Sequence, residues 1–216
     1  MDSFTKTVVV ATVTTLLLLF VFLPLVHARP PPPGLFESMT LTAAFGLAAA
    51  ALSLVPDLAA AMALRRGGIW AVLAQVLYVP AVVPPTSVGV LLLASFSLPR
   101  LYCAEGVEAL CCAASFVNEY IINRPLGVLT AMTVMALPVA FSIFDGALRE
   151  ERAEIFFRSL GLSEPRLLLT LLSLRTATVS AFIFAWIRSF SELGVLLIFA
   201  SYPVTASIYI YQAWHI

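Results

Sequence analysis

An all-α integral membrane protein, a polytopic helical bundle of about five spans, is the fold class the sequence predicts. Three observations lead there. Hydrophobic residues make up 61% of the 216 and charged residues only 11%, where a soluble domain carries about 25% charge. The mean hydropathy is +1.01. The apolar residues fall in charge-free runs of roughly 20, the length a helix needs to cross a hydrocarbon core about 30 Å thick. Residues 1–216 read as one transmembrane domain. The same composition excludes several functions. The net charge is zero, so there is no basic footprint for nucleic acid. Lys6 is the sole lysine and no G-x-x-x-x-G-K segment occurs, so the chain has no P-loop of its own for nucleotide hydrolysis. No paired Asp, Ser/His or Ser/Lys arrangement and no H-E-x-x-H points to an intramembrane enzyme.

The first span is expected at 7–26. Lys6 before it and Ala28 after it suit a secretory signal, but its length exceeds a signal's 7 to 15 apolar residues and favours a retained helix. The proline run within Arg29 to Gly34 makes a stiff, extended connection. The second span, 38–64, is rich in Ala and Gly, small residues that let helices approach closely in lipid. Asp57 near its end is either a polar element of a pathway or a residue at headgroup level. Arg65-Arg66-Gly67-Gly68 is a short loop.

The third span is expected at 69–95, within an apolar run to Pro99 that is too long for one straight helix. Pro80, Pro84 and Pro85 lie at lipid depth and remove backbone donors. A broken helix is tolerated there only inside protein or beside a water-filled cavity. Pro84, Pro85, Thr86 and Ser87 therefore either line a translocation pathway or form a structural kink. The connection from Arg100 to Arg124 holds Cys103, Cys111 and Cys112. They lack the paired C-x-x-C spacing or the neighbouring His of a metal site. A disulfide from Cys103 is open if the loop is external, and an odd count leaves a thiol over. Val107 to Val117 suits a short membrane-surface helix.

The fourth span is 125–144 and the fifth 170–199, joined by a charged loop, 145–169. In that loop Ala153, Phe156, Phe157 and Leu160 recur at i, i+3, i+4, i+7, one apolar stripe of a short helix. Glu150, Glu151, Glu154 and Arg158 lie opposite, and Glu154 before Arg158 is a favourable i,i+4 pair. Gly161 supplies a C-terminal cap. Ser163 with Glu164-Pro165 suits the start of the next helix. Such an amphipathic segment between two spans is built to dock onto something.

The fifth span carries Arg188 and Glu192, each costing about 2.5 to 3.5 kcal/mol at the centre of a membrane helix. They are four apart and can pair, though arginine before glutamate is the weaker order for the helix dipole. Stability alone therefore explains them poorly, and a pathway or gate that includes Ser191 is favoured over a purely structural ion pair. The segment 201–216, with Tyr202, Tyr209, Tyr211 and Trp214, is an aromatic set for a membrane interface or a continuation of the span before it. Lys6, Arg65, Arg66, Arg149, Arg152, Arg158, Arg166 and Arg175 fall on one side, and Arg29, Arg100 and Arg124 on the other. The positive-inside bias then places the N-terminus and the 145–169 loop in the cytoplasm of a multi-pass cell-membrane protein, with the cysteines and proline run outside.

Over roughly Thr40 to Trp214 the chain resembles the permease subunits of ABC importers, specifically the molybdate/tungstate type. The most specific pieces are the run from Val79 to Leu92 containing Pro84-Pro85-Thr86-Ser87-Val88-Gly89, Arg158-Ser159-Leu160-Gly161, and Arg188-Ser189-Phe190-Ser191-Glu192-Leu193-Gly194. Pro203 to Tyr209 looks like the outer segment before that family's last span. The resemblance implies a type I importer fold and makes the 145–169 loop a coupling helix seated in a groove of a separate ATP-binding cassette ATPase. The docking residues it implies are Ala153, Glu154, Phe156, Phe157, Arg158, Leu160 and Gly161. This chain departs from the pattern. Ile155-Phe156-Phe157 stands where the family has Glu-Ala-Ala, Ser173-Leu174 stands where Leu-Pro is expected, and the family continues into one more span beyond Ile216.

The function expected is the membrane subunit of an ATP-driven importer for an oxyanion, tungstate or molybdate, with sulfate, thiosulfate or ferric iron as the nearby alternatives. Two copies would line one pathway in the lipid bilayer, with Pro84, Pro85, Thr86, Ser87, Arg188, Ser191 and Glu192 as pathway or gate residues. An external substrate-binding protein would deliver the anion. This chain would hold no catalytic residue, metal or cofactor, ATP and magnesium being bound by the partner ATPase. The rival from another class is a non-transporting scaffold whose loop anchors a cytoplasmic partner, which requires the broken span and the Arg188/Glu192 pair to be packed and dry.

Overall fold

A computed structural model describes residues 33–104, 108–149 and 173–214. Every regular element among them is helical. The expected first span at 7–26 and nearly all of the charged loop lie outside the described residues, including Ala153, Glu154, Phe156, Phe157, Arg158, Leu160 and Gly161.

Helix α1 runs Leu35–Arg66 with Pro56 inside it. It ends where Gly67 and Gly68 take φ of 75° and 63°, a left-handed pair that residues with a Cβ enter only at a cost. Helix α2, Gly68–Gln75, continues through a 3-10 turn, Val76–Tyr78, into α3, Val79–Val82. Val83 is extended, with φ −81° and ψ 137°, as the residue before a proline prefers. Helix α4, Pro85–Ala104, starts at once beyond this break. Of the three prolines expected to disrupt the span, Pro84 and Pro85 sit at the interruption. Pro80 lies in the first turn of α3, where its missing N–H costs nothing.

Helix α5, Glu108–Phe116, runs into a π-helical turn, Val117–Ile121. Cys103 and Cys111 form a disulfide and Cys112 is free and exposed. Asn123, at φ 55°, turns the chain into α6, Pro125–Arg149, which carries Pro138. The expected end at residue 144 falls short by more than a turn. Asp145 and Arg149 extend the helix, their side chains paired at 2.7 Å, an i,i+4 arrangement with the acid first.

The expected continuous fifth span over 170–199 is two helices, α7 at Arg175–Phe190 and α8 at Gly194–Phe199. Helix α9, Ala206–Trp214, follows a non-helical stretch and is separate from α8. Thr42 on α1 joins it to the bundle: its hydroxyl donates to Ser38 O at 2.6 Å and accepts from Ala206 N at 2.7 Å.

Among the described residues, two helices, Leu35–Arg65 and Pro125–Arg149, are long and apolar enough to cross a membrane. Their interior contacts use many small residues, with Ala49, Ala50, Ala61, Ala131, Ala136 and Ala140 fully buried, as are Ala181 and Ala185 of α7, as expected where close approach rather than water exclusion joins helices. The large side chains Val179, Ile183, Phe184 and Ile187 of α7 point outward, a surface suited to lipid.

Candidate functional site

The two interruptions meet. A Cβ on Gly194, the first residue of α8, would lie 2.9 Å from Pro85 Cβ and 3.3 Å from Thr86 N. One on Gly89, a turn into α4, would lie 3.2 Å from Val195 Cα and 3.1 Å from Ile198 Cβ. Only glycine permits both approaches without displacing backbone. The break beside Pro84 and the break at 191–193 therefore stack against each other, which brings Pro85 and Thr86 next to the segment that carries Ser191 and Glu192. Pro84, Pro85, Thr86, Ser87 and Ser191 are all exposed.

Glu192 is 1% exposed and lies between the helices, not within one. Arg188 NH1 donates to its Oε2 at 2.9 Å, and Val195 N donates to its Oε1 at 2.9 Å. The second contact satisfies an amide that the start of α8 would otherwise leave unpaired. The charge pair expected within one helix thus spans a helix end, with the carboxylate joining the last turn of α7 to the first turn of α8. The weak order of arginine before glutamate loses its meaning there, because no continuous helix dipole runs through the pair. Arg188 is 30% exposed on its side chain, which keeps part of its five-donor fork open to solvent or ligand.

The end of α7 is closed locally. Ser191 Oγ donates to Arg188 O at 3.0 Å, and Ser191 N to Ile187 O at 3.1 Å. Ser189 is fully buried and its hydroxyl donates to Met132 O on α6 at 3.2 Å. Pro138, also on α6, cannot donate to the carbonyl of Val134 four residues earlier; the Ser189 contact falls on Met132, two residues further back. Gly89, Ser189 and Gly194 were absent from the residues singled out as pathway or gate, although a glycine inside an apolar span is a sequence signal for close backbone approach.

At the start of α4 the amides of Thr86 and Ser87 have no carbonyl a full turn earlier within the helix, the general condition of a first turn. Such a terminus favours negative charge. Beside it the carboxylate of Glu192 is neutralised by Arg188. The local balance of full charges is zero, with the helix end and the open part of the guanidinium adding positive potential. Asp57, on α1, is fully buried, one turn after Ser53, whose hydroxyl donates to Ala50 O at 3.0 Å. Within the fold of this chain Asp57 is thus enclosed by protein and not solvated.

Near the far ends of α6 and α7, Ile143, Ala147, Ser173, Leu174, Thr176, Ala177 and Ser180 line an open cavity of about 360 Å³. It is well separated along α6 from the breaks, which pack near Met132.

No protein-family model matches the chain. Over 139 residues, 62% of its length, it is 32% identical to the molybdate/tungstate transport system permease protein of Pyrococcus abyssi, and equally to that of Thermococcus kodakarensis. The corresponding protein of Pyrococcus furiosus is 31% identical over 137 residues. The chain spans about half the length of these relatives, 47% in each case. The motif resemblance to molybdate/tungstate permeases is thus matched by overall sequence similarity, and a membrane location agrees with the two long apolar helices.

Proposed function

We propose that this chain is a membrane-spanning permease subunit of an ATP-driven importer for an oxyanion, molybdate or tungstate, and that it works by alternating access coupled to a separate ATPase. The observation that carries this is its similarity to three permeases named for that transport. In the proposed topology the type I importer bundle has about five spans, the end of α6 at Arg149 faces the cytoplasm, and the disulfide lies outside. The loop 145–169 docks onto the ATPase through Ala153, Glu154, Phe156, Phe157, Arg158, Leu160 and Gly161. Two copies line the pathway and an external binding protein supplies the anion.

The stacked breaks support a pathway through this part of the bundle. Discontinuous membrane helices whose N-termini face an anion are a recurrent transporter arrangement. Here the first turn of α4, with Thr86 and Ser87, would meet the anion together with the free donors of Arg188. Glu192 holds Arg188 in place and limits net positive charge, so that binding stays weak enough for release.

Two experiments test this. Phe156→Asp with Phe157→Asp is expected to abolish co-purification of the ATPase; unchanged association would refute the docking claim. Arg188→Ala is expected to lower molybdate and tungstate uptake about tenfold or more, the loss of a charge-assisted hydrogen bond. Arg188→Lys keeps the charge over Glu192 and controls for folding. Full transport by Arg188→Ala removes Arg188 from the pathway.

A further inference from the structure

The buried residues of the bundle sort into two clusters stacked along the helix axes. One joins Val128, Ala131, Met132 and Met135 of α6 to Val88, Val195 and Phe199. The other joins Ala136, Ala140, Phe141 and Phe144 of α6 to Leu58, Ala74, Ala181 and Ala185. The boundary crosses α6 between Met135 and Ala136 and crosses α1 between Ala49 and Ala50. Both chain interruptions fall on it. Helices α2 and α7 contribute to the second cluster only, through Ala74, Ala181 and Ala185, while α4 and α8, which continue them past the breaks, contribute to the first only. Among the described residues, α1 and α6 alone run through both clusters, and each contains a proline, Pro56 and Pro138. Pro138 lies less than a turn beyond the boundary and removes one helical hydrogen bond there.

We infer that this boundary is a hinge within the subunit: the half built on α4, α8 and the start of α6 tilts against the half built on α2, α7 and the end of α6, with Glu192 as the positioning residue that joins them. The inference rests on the transport reading above. Hinges are a few residues at element ends that absorb backbone rotation while packed bodies stay rigid, and 83–84 and 191–193 are such residues. The contacts of Gly194 with Pro85 and of Gly89 with Val195 and Ile198 make α4 and α8 move as one body. Glu192 has one carboxylate oxygen bonded to each side, to Arg188 of α7 and to Val195 N of α8, and Ser189 of α7 adds a hydroxyl bond to Met132 O of the first cluster. Leu148 near the end of α6 and Leu174 just before α7, the described residues flanking 150–172, both pack in the second cluster. A pull on that segment would therefore load one half directly and reach the other through the hinge.

Hydrogen exchange on the reconstituted complex with its ATPase, nucleotide-free against trapped with ATP and vanadate, tests the hinge. Amides in 83–88 and 189–195 are expected to change exchange roughly tenfold or more between states, while those of 126–134 and 196–199 stay the same. Equal exchange at both breaks in a complex that hydrolyses ATP would overturn the hinge and leave the transport reading standing. A second measurement needs no partner. In the chain alone, Glu192→Gln is expected to speed exchange at both breaks together with no change in 126–134. Acceleration confined to Val195, or spread evenly over the bundle, would overturn it. Loss of ATPase association in the native protein would count against the transport reading instead, and the Glu192→Gln comparison would still decide the hinge.

Discussion

Arg188 and Glu192 make an unequal pair, and the inequality is testable. Glu192 is fully enclosed while Arg188 reaches solvent. Arg188→Ala strands a buried carboxylate on one backbone amide and is expected to destabilise the protein by about 2 kcal/mol, less than the 3–5 typical of fully buried pairs because of that exposure. Glu192→Ala removes a helix-start acceptor, about 1 kcal/mol, and leaves a guanidinium that water can reach. Thermal unfolding in detergent should therefore rank Arg188→Ala below Glu192→Ala; the reverse order would place the carboxylate in a wetter setting than its burial indicates. Two glycines offer a second contrast. A Cβ on Gly127 would collide with Ile121 O, whereas one on Gly146 meets nothing within 4 Å. Gly127→Ala should destabilise strongly, and Gly146→Ala, in an exposed helical position, should stabilise by about 0.5–1 kcal/mol.

At the level of elements, the break before α4 was legible because its cause is local. A valine before two prolines is extended in almost any context. The break between α7 and α8 was not, since Ser191-Glu192-Leu193 carries no proline and each residue tolerates a helix. What interrupts the helix there is partly local, the carboxylate of Glu192 taking the amide of Val195 three residues on, and partly tertiary, since Gly194 must admit Pro85. Sequence spacing does not show Pro85 as a partner, and an acidic side chain three residues before an amide is compatible with an unbroken helix as well. The i,i+4 spacing of Arg188 and Glu192 did reveal their pairing, but not that the pair bridges two helices. The cysteines were half legible. Their odd count required a leftover thiol, while the choice of Cys103 with Cys111 needed the packing of α5 against α4. Closing a loop this short contributes about 2.5 kcal/mol in the chain-entropy account. Cys103→Ala should therefore lower the thermal midpoint, whereas Cys112→Ser should leave it unchanged; peptide mapping under non-reducing conditions should recover the Cys103–Cys111 bond in both the native protein and Cys112→Ser.

For the molecule as a whole, membrane character was written in composition, since 11% charge and a mean hydropathy of +1.01 leave no soluble alternative. The stacking of two clusters with both breaks at their boundary was not, because it depends on which residues of separate helices reach the same level. A glycine approach sets the contact between the breaks and the breaks define two halves; under the proposed transport function these halves are what would move. Uptake of molybdate and tungstate into proteoliposomes holding this chain with its ATPase and binding protein tests the central claim most directly. The account predicts ATP-dependent accumulation of at least one of the two anions, lost in Arg188→Ala and retained in Cys112→Ser. Absence of accumulation by an assembled complex that hydrolyses ATP, or accumulation without ATP, would contradict it.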